Sequence, residues 1–170
     1  MPNFSAFGNI NQPMVTADIA ENGSRNGVFY YSTTNSQTVG ANGFIAFQLS
    51  NPTAANRAAR IVRVFSGGQV NTTQFYLRNG TLNGGVTLSG FNGNFGFTDS
   101  SQMIPSFSVS LVNPVTGGVT LASVIQTVGS AVNEEEGRLI IPPGGRFIVV
   151  LQKNAAGTNT LSISVSWVEQ

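Results

Sequence analysis

A chain of 170 residues with no histidine, no cysteine, and eight basic and seven acidic side chains is short of the groups from which acid-base, nucleophilic and transition-metal chemistry is built. The composition argues against an enzyme, implies no cofactor, and excludes disulfide staples and thiolate metal sites. A net charge of +1, spread over scattered arginines and Lys153, offers no field for nucleic acid, and no run approaches the roughly 20 apolar residues of a membrane span.

At this length about 70% of the unfolded chain's surface can be buried, which suits one domain around one core. The start, Met1-Pro2-Asn3-Phe4-Ser5, lacks the basic and apolar regions of a secretory signal. The chain is expected either to stay inside a cell or to act as a mature form outside it.

Residues 1–22 set Phe4, Phe7, Ile10, Met14 and Val15 among polar neighbours, and residues 23–27, from Gly23 to Gly27, follow as a flexible hinge. Two readings of this segment stand. It is a first strand or frayed end on its own sandwich, or it is an arm that adds a strand to a neighbouring subunit, its backbone completing the ladder while Phe and Ile fill pockets. The second is a heterologous contact, which builds rings or open filaments.

From residue 28 to 170 the pattern is that of strands between turns. Residues 44–49, 61–65 and 147–151 are apolar on both faces, so they lie in mid-sandwich or have an outer face covered by another subunit. Residues 53–60, after Pro52, are the best helical candidate and allow one turn at most. Thr73, Phe75 and Leu77 alternate with Gln74, Tyr76 and Arg78, and Phe107, Val109 and Leu111 alternate with Ser106, Ser108 and Ser110. The clearest strand sets Leu161, Ile163, Val165 and Trp167 against Thr160, Ser162, Ser164 and Ser166. Asn-Gly pairs at 22, 26, 42, 79, 83 and 92 and Gly-Gly pairs at 67, 84, 117 and 144 supply the positive φ of tight turns. The expected fold is all-β, an antiparallel β-sandwich, with a jelly roll as the topology this size favours.

Candidate chemical sites are sparse. Glu134-Glu135-Glu136 is the one charge run; it offers oxygen ligands to Ca²⁺ or forms a solvated loop tip, and its spacing matches no EF-hand loop. Asp18, Glu21, Asp99 and Glu169 are too far apart in sequence to form a carboxylate pair unless the fold assembles one. A serine nucleophile has no histidine base, and nothing like Ser-x-x-Lys surrounds Lys153. The glycine-rich segment 90–96 has no Lys-Ser or Lys-Thr to complete a phosphate loop. Tyr30, Tyr31, Tyr76, Phe91 and Phe95 among amides form either a sugar-binding platform or core and subunit contacts. Arg60 and Arg63 flank an apolar strand as interface ion-pair partners or as edge charges.

In order, Asn51-Pro52, Arg78-Asn79-Gly80-Thr81, Asn94-Phe95-Gly96, Gly117-Gly118, Ile141-Pro142-Pro143-Gly144 and Val165-Ser166-Trp167-Val168-Glu169 resemble small β proteins of spore-forming Firmicutes. More broadly the pattern is similar to the subunits of endospore appendages. The resemblance implies a jelly roll without a signal peptide that polymerises through an N-terminal connector inserted into a neighbour, with residues 1–12 as connector and residues 23–27 as its hinge. Appendage subunits of that kind cross-link through cysteines, which this chain lacks.

The expectation is a structural subunit that self-assembles by strand complementation into an extracellular or spore-surface filament or layer, with itself as partner and no membrane insertion. A phage decoration or fibre protein and a carbohydrate-binding module, with a surface glycan as partner, are the alternatives.

Overall fold

A computed structural model describes residues 18–170. The described chain begins with a helix, α1 (Ile19–Arg25), followed by β1 (Phe29–Thr33), β2 (Gln37–Val39), β3 (Phe44–Ser50), β4 (Ala59–Gly68), β5 (Thr72–Arg78), β6 (Thr81–Leu82) and β7 (Val86–Thr87). Then come β8 (Phe91–Asn92), β9 (Ile104–Ser110), β10 (Val115–Thr116), β11 (Val119–Gln126), β12 (Gly129–Ile141), β13 (Arg146–Lys153) and β14 (Asn159–Glu169). Two antiparallel sheets form a β-sandwich. One runs β12-β4-β14-β1-β8 with β2 beside β14, the other β11-β5-β13-β3-β9-β7, and β6 pairs with β10 in a separate ribbon.

Period two in the sequence becomes the inner faces of the two sheets. Leu161, Ile163, Val165 and Trp167 of β14 meet Ile45, Phe47 and Leu49 of β3 and Val149 and Leu151 of β13 in one buried cluster. Each such aliphatic side chain contributes about 1.5–3 kcal/mol when taken from water. Tyr30 stacks on Trp167 at 6.1 Å between centroids and anchors β1 to the same core.

The strands that are apolar on both faces are covered by the chain itself, which corrects the option of a subunit on their outer faces. Ala46, Ile148 and Val150 turn outward from β3 and β13 and are sealed by Leu82 and Val115 of the β6–β10 ribbon. On the other sheet the register of β4 shifts by one residue against β14 between Ile61 and Arg63, a bulge that throws Val62 outward to join Phe29 and Val168. Ile19 and Ala20 of α1 cover that patch.

The helix lies where none was expected. Asp18 caps it by accepting a hydrogen bond from the Ala20 amide at 3.2 Å, and Glu21 pairs with Arg25 one turn later at 2.5 Å. Gly27 ends it at a φ of 67°. Gly23, read from sequence as one side of a hinge, is buried within the helix: a Cβ there would lie 2.6 Å from Val168 Cγ2. Residues 53–60, by contrast, form a turn leading into β4 rather than a helix.

A second difference concerns β5. Its apolar row, Phe75 and Leu77, packs outward beside the ribbon, while Thr72, Gln74 and Tyr76 face the inter-sheet space. The inner face of β5 therefore carries a hydroxyl and an amide beside Tyr76.

Candidate functional site

The two sides of the sandwich are finished differently. At one side the outermost strands, β7 and β8, are two residues long, which leaves little backbone to pair. At the other, the long strands β11 and β12 are both outermost: among the described residues β11 pairs only with β5 and β12 only with β4. Val119, Thr120, Val124 and Ile125 favour extended backbone in β11, and its eight residues include neither a charge nor a proline, the usual guards of an edge.

Leu121 is bulged in the β11 register, after which Ala122, Val124 and Gln126 turn toward the other sheet while Ser123 and Ile125 point away. Val124 faces the inter-sheet space and is still 54% exposed; Ile125, on the outer face, is 78% exposed. The two sheets gape here around a cleft of about 170 Å³, lined by Gln74, Tyr76, Ala122, Val124, Asn133 and Glu135.

One end of the cleft is tied shut by amides. Gln126 donates to Ser66 Oγ at 2.9 Å and to Gln74 Oε1, and accepts from Thr72 Oγ1 at 3.2 Å. Asn133 reaches across from β12 to Gln74 Oε1 at 3.2 Å and to the Tyr76 hydroxyl at 2.7 Å. Burial pushes the Tyr76 phenol up to about 12 despite the Asn133 hydrogen bond, so it is neutral at physiological pH. Gln74 Nε2 is buried without a partner, a donor held at the wall of the cleft.

The run Glu134-Glu135-Glu136 is not a loop tip. Glu134 lies opposite Arg63 and Leu139 opposite Ile61, so residues 135–138 bulge from inside β12, with Glu136 and Gly137 at positive φ. Glu134 closes an ion pair with Arg63 at 2.5 Å, making Arg63 a partner within the chain. The guanidinium of Arg63 is held above its ordinary range chiefly by its contact with the Glu134 carboxylate. Among the described residues no group of three or more Asp or Glu side chains converges as a metal site.

The other sequence candidates separate. Phe4, Phe7, Ile10, Met14 and Val15 lie outside the described residues. Gly23 and Gly27 sit in and just after α1, where a Cβ at Gly27 would lie 2.3 Å from the Phe97 ring. Glu169 is buried and accepts from Trp167 Nε1 at 3.2 Å, Ser101 Oγ at 2.6 Å and the Gln102 amide at 3.2 Å. Lys153 is also buried, its ammonium donating to the carbonyls of Val39 and Gly157. Both groups tie strand ends to loops, a role no local pattern announces.

Of the five aromatic candidates, Tyr30 and Tyr76 belong to the core. Tyr31 lies opposite Phe91, and Phe91, Phe95 and Phe97 surround a cavity of about 630 Å³ with Asn92 and Asp99. Asn92 donates to Gly27 O at 2.7 Å and Asn94 to Ser24 O at 2.9 Å, pinning this loop to the end of α1. No family model, curated protein or solved structure matches the chain.

Proposed function

We propose that this chain is a jelly-roll structural subunit that assembles with copies of itself through the open β11–β12 edge, as a filament or layer outside the cell or on a spore surface. Setting aside β2 and the strands inserted between β5 and β11, eight long strands remain. In chain order one sheet then runs first, eighth, third, sixth and the other second, seventh, fourth, fifth. That interleaving of two four-stranded sheets supports the jelly-roll reading.

The observation that carries the assembly reading is Val124, an inward-facing side chain left more than half exposed on an unguarded edge strand. A strand supplied by a neighbour would complete the β11 ladder and cover Val119, Val124 and Ile125. The sequence segment available for this is the part of the 1–22 arm that precedes the helix cap at Asp18, residues 1–17, with Phe4, Phe7, Ile10, Met14 and Val15 as its apolar anchors. Arm and edge are different surfaces, so the contact is heterologous and continues from copy to copy.

Light scattering and negative-stain microscopy of three proteins test this reading: the full chain, a chain lacking residues 1–12, and Val124→Lys/Ile125→Lys. Assemblies of the full chain alone are expected. A monomeric full chain, or assemblies indifferent to both changes, would overturn the reading.

Glycan binding is a second reading, carried by Phe95, which is 99% exposed on a loop pinned by Asn92 and Asn94, with Phe91 65% exposed beside it. Rigidly presented rings next to amides and a carboxylate suit the mixed surface of a sugar. A glycan array without hits removes it.

A further inference from the structure

We infer that the cavity where β5, β12 and β13 meet is a binding site for the oxyanion of a small molecule. The inference stands on that cavity alone and is independent of assembly. The cavity has a volume of about 630 Å³, and Arg78, Arg138 and Arg146, three of the chain's eight basic residues, line it together with Asn79. None of the residues lining it is acidic.

Each arginine arrives there for a different reason. Arg78 is the last member of the inward row Thr72, Gln74, Tyr76, directly opposite Phe147, so it stands at the mouth of the inter-sheet space. Arg138 returns toward the cavity at the end of the β12 bulge, after Glu136 and Gly137 reverse the backbone at φ values of 50° and 77°. Arg146 opens β13 and is fixed by its own backbone, its amide donating to Asn79 Oδ1 at 3.2 Å and its carbonyl accepting from the Asn79 amide at 2.9 Å.

Their donors are largely unspent. The Arg78 side chain makes no hydrogen bond and no ion pair among the described residues. Arg146 uses Nη1 on Thr81 Oγ1 at 3.2 Å and Gly80 O at 3.5 Å, leaving Nε and Nη2 without a partner among the described residues. Arg138 uses Nε on Glu135 O at 3.1 Å and Nη2 on Glu134 O at 2.8 Å; the nearest carboxylate, that of Glu136, is 4.0 Å away. Three arginines lining one cavity concentrate positive charge there, and an anion bound among them would take up their forked donors.

The rest of the cavity favours a ligand larger than the ion. Leu121, Ile140 and Phe147 give it an apolar wall, and the volume lies within the range of small-molecule pockets. Its floor is preorganised: in the turn Pro142-Pro143-Gly144-Gly145 the Gly145 amide donates to Pro142 O and the Gly144 amide to Asn51 O, each at 2.8 Å. The ligand class is therefore a compact organic molecule bearing phosphate, sulfate or clustered carboxylates. An acidic side chain from a second copy carries the same chemistry.

Thermal unfolding and isothermal titration of the full chain with inorganic phosphate and with citrate, against sodium chloride at equal ionic strength, test the site. A saturable rise in Tm with phosphate or citrate beyond the chloride control is expected, with affinity falling at least tenfold in Arg78→Gln and in Arg146→Gln. Both variants should unfold within a few degrees of the parent without ligand, because both side chains are exposed. Binding that weakens as protein concentration rises keeps the site and makes a neighbouring copy its competitor; binding independent of concentration keeps it for free anions. A Tm rise no larger than with chloride, or one unchanged in both variants, would overturn the inference.

Discussion

Gln126 of β11 donates its side-chain amide to the side-chain oxygen Oε1 of Gln74 on β5, and the same amide group holds Ser66 of the facing sheet and Thr72. The pair is the point at which the gaping edge of the sandwich is drawn closed. Gln126→Ala removes one partner from three buried polar groups at once. A loss of about 2 kcal/mol or more is expected in urea unfolding, and a change within the error of the extrapolation would mean that water replaces the amide at no cost.

The Tyr76 phenol ionises in the unfolded chain near its ordinary value of about 10 and in the folded chain only at about 12. Because the folded state holds the proton more tightly, this tyrosine's contribution to stability is complete below about pH 10 and is lost as pH rises through the folded value. Burial raises the Tyr30 phenol too, so Tyr30 acts in the same direction. Unfolding midpoints measured between about pH 9 and pH 12 should fall more steeply for the parent than for Tyr76→Phe. Parallel curves would show that Tyr76 is not buried as described.

Gly23→Ala sets two effects against each other. Alanine favours helix over glycine by about 1 kcal/mol, but its Cβ would meet Val168 Cγ2 at 2.6 Å, and Val168 is a buried β-branched residue with nowhere to turn. Overpacking of this kind costs about 1–3 kcal/mol, so net destabilisation is expected, with faster hydrogen exchange confined to α1 and the end of β14. Greater stability in the variant would contradict the docked position of the helix.

Gly27→Ala is expected to cost more than Gly23→Ala, since residue 27 adopts a φ of 67° and its Cβ would strike the Phe97 ring at 2.3 Å. The ring belongs to the loop that carries Phe91 and Phe95. Near-ultraviolet circular dichroism should therefore change together with Tm, and a fall in Tm with unchanged aromatic signals would separate the loop from the helix end.

The sequence was most legible in β14, where apolar and polar residues alternate without interruption from Thr160 to Trp167. The alternation at Leu161, Ile163, Val165 and Trp167 stated both the strand and its buried side. It misled at Phe75 and Leu77, because a row of apolar side chains does not say which of two hydrophobic layers it joins, and the outer layer is built by Leu82 and Val115 in short segments that read as turns. The helix at residues 19–25 is too short to display a period, and its signals are a cap at Asp18 and a glycine stop at Gly27. Asn51 donates to Arg57 O at 2.8 Å and to Ile141 O at 2.9 Å, the latter 90 residues away. Buried ties of this sort, like Lys153 and Glu169, have partners that only the fold brings near. The open edge was illegible for the same reason: β11 and β12 became outermost through strand order, which no local pattern encodes.

On the proposed assembly, the free edge of β11 is paired by a strand from a neighbouring copy. Hydrogen exchange resolved over residues 119–126, measured across a protein concentration series, tests it most directly. The β11 amides not bonded to β5 should exchange rapidly in dilute, monomeric protein and become protected as assemblies form, while the amides of β3 and β13 stay unchanged. Fast exchange along that edge in assembled protein, or no assembly at any concentration, would contradict the account.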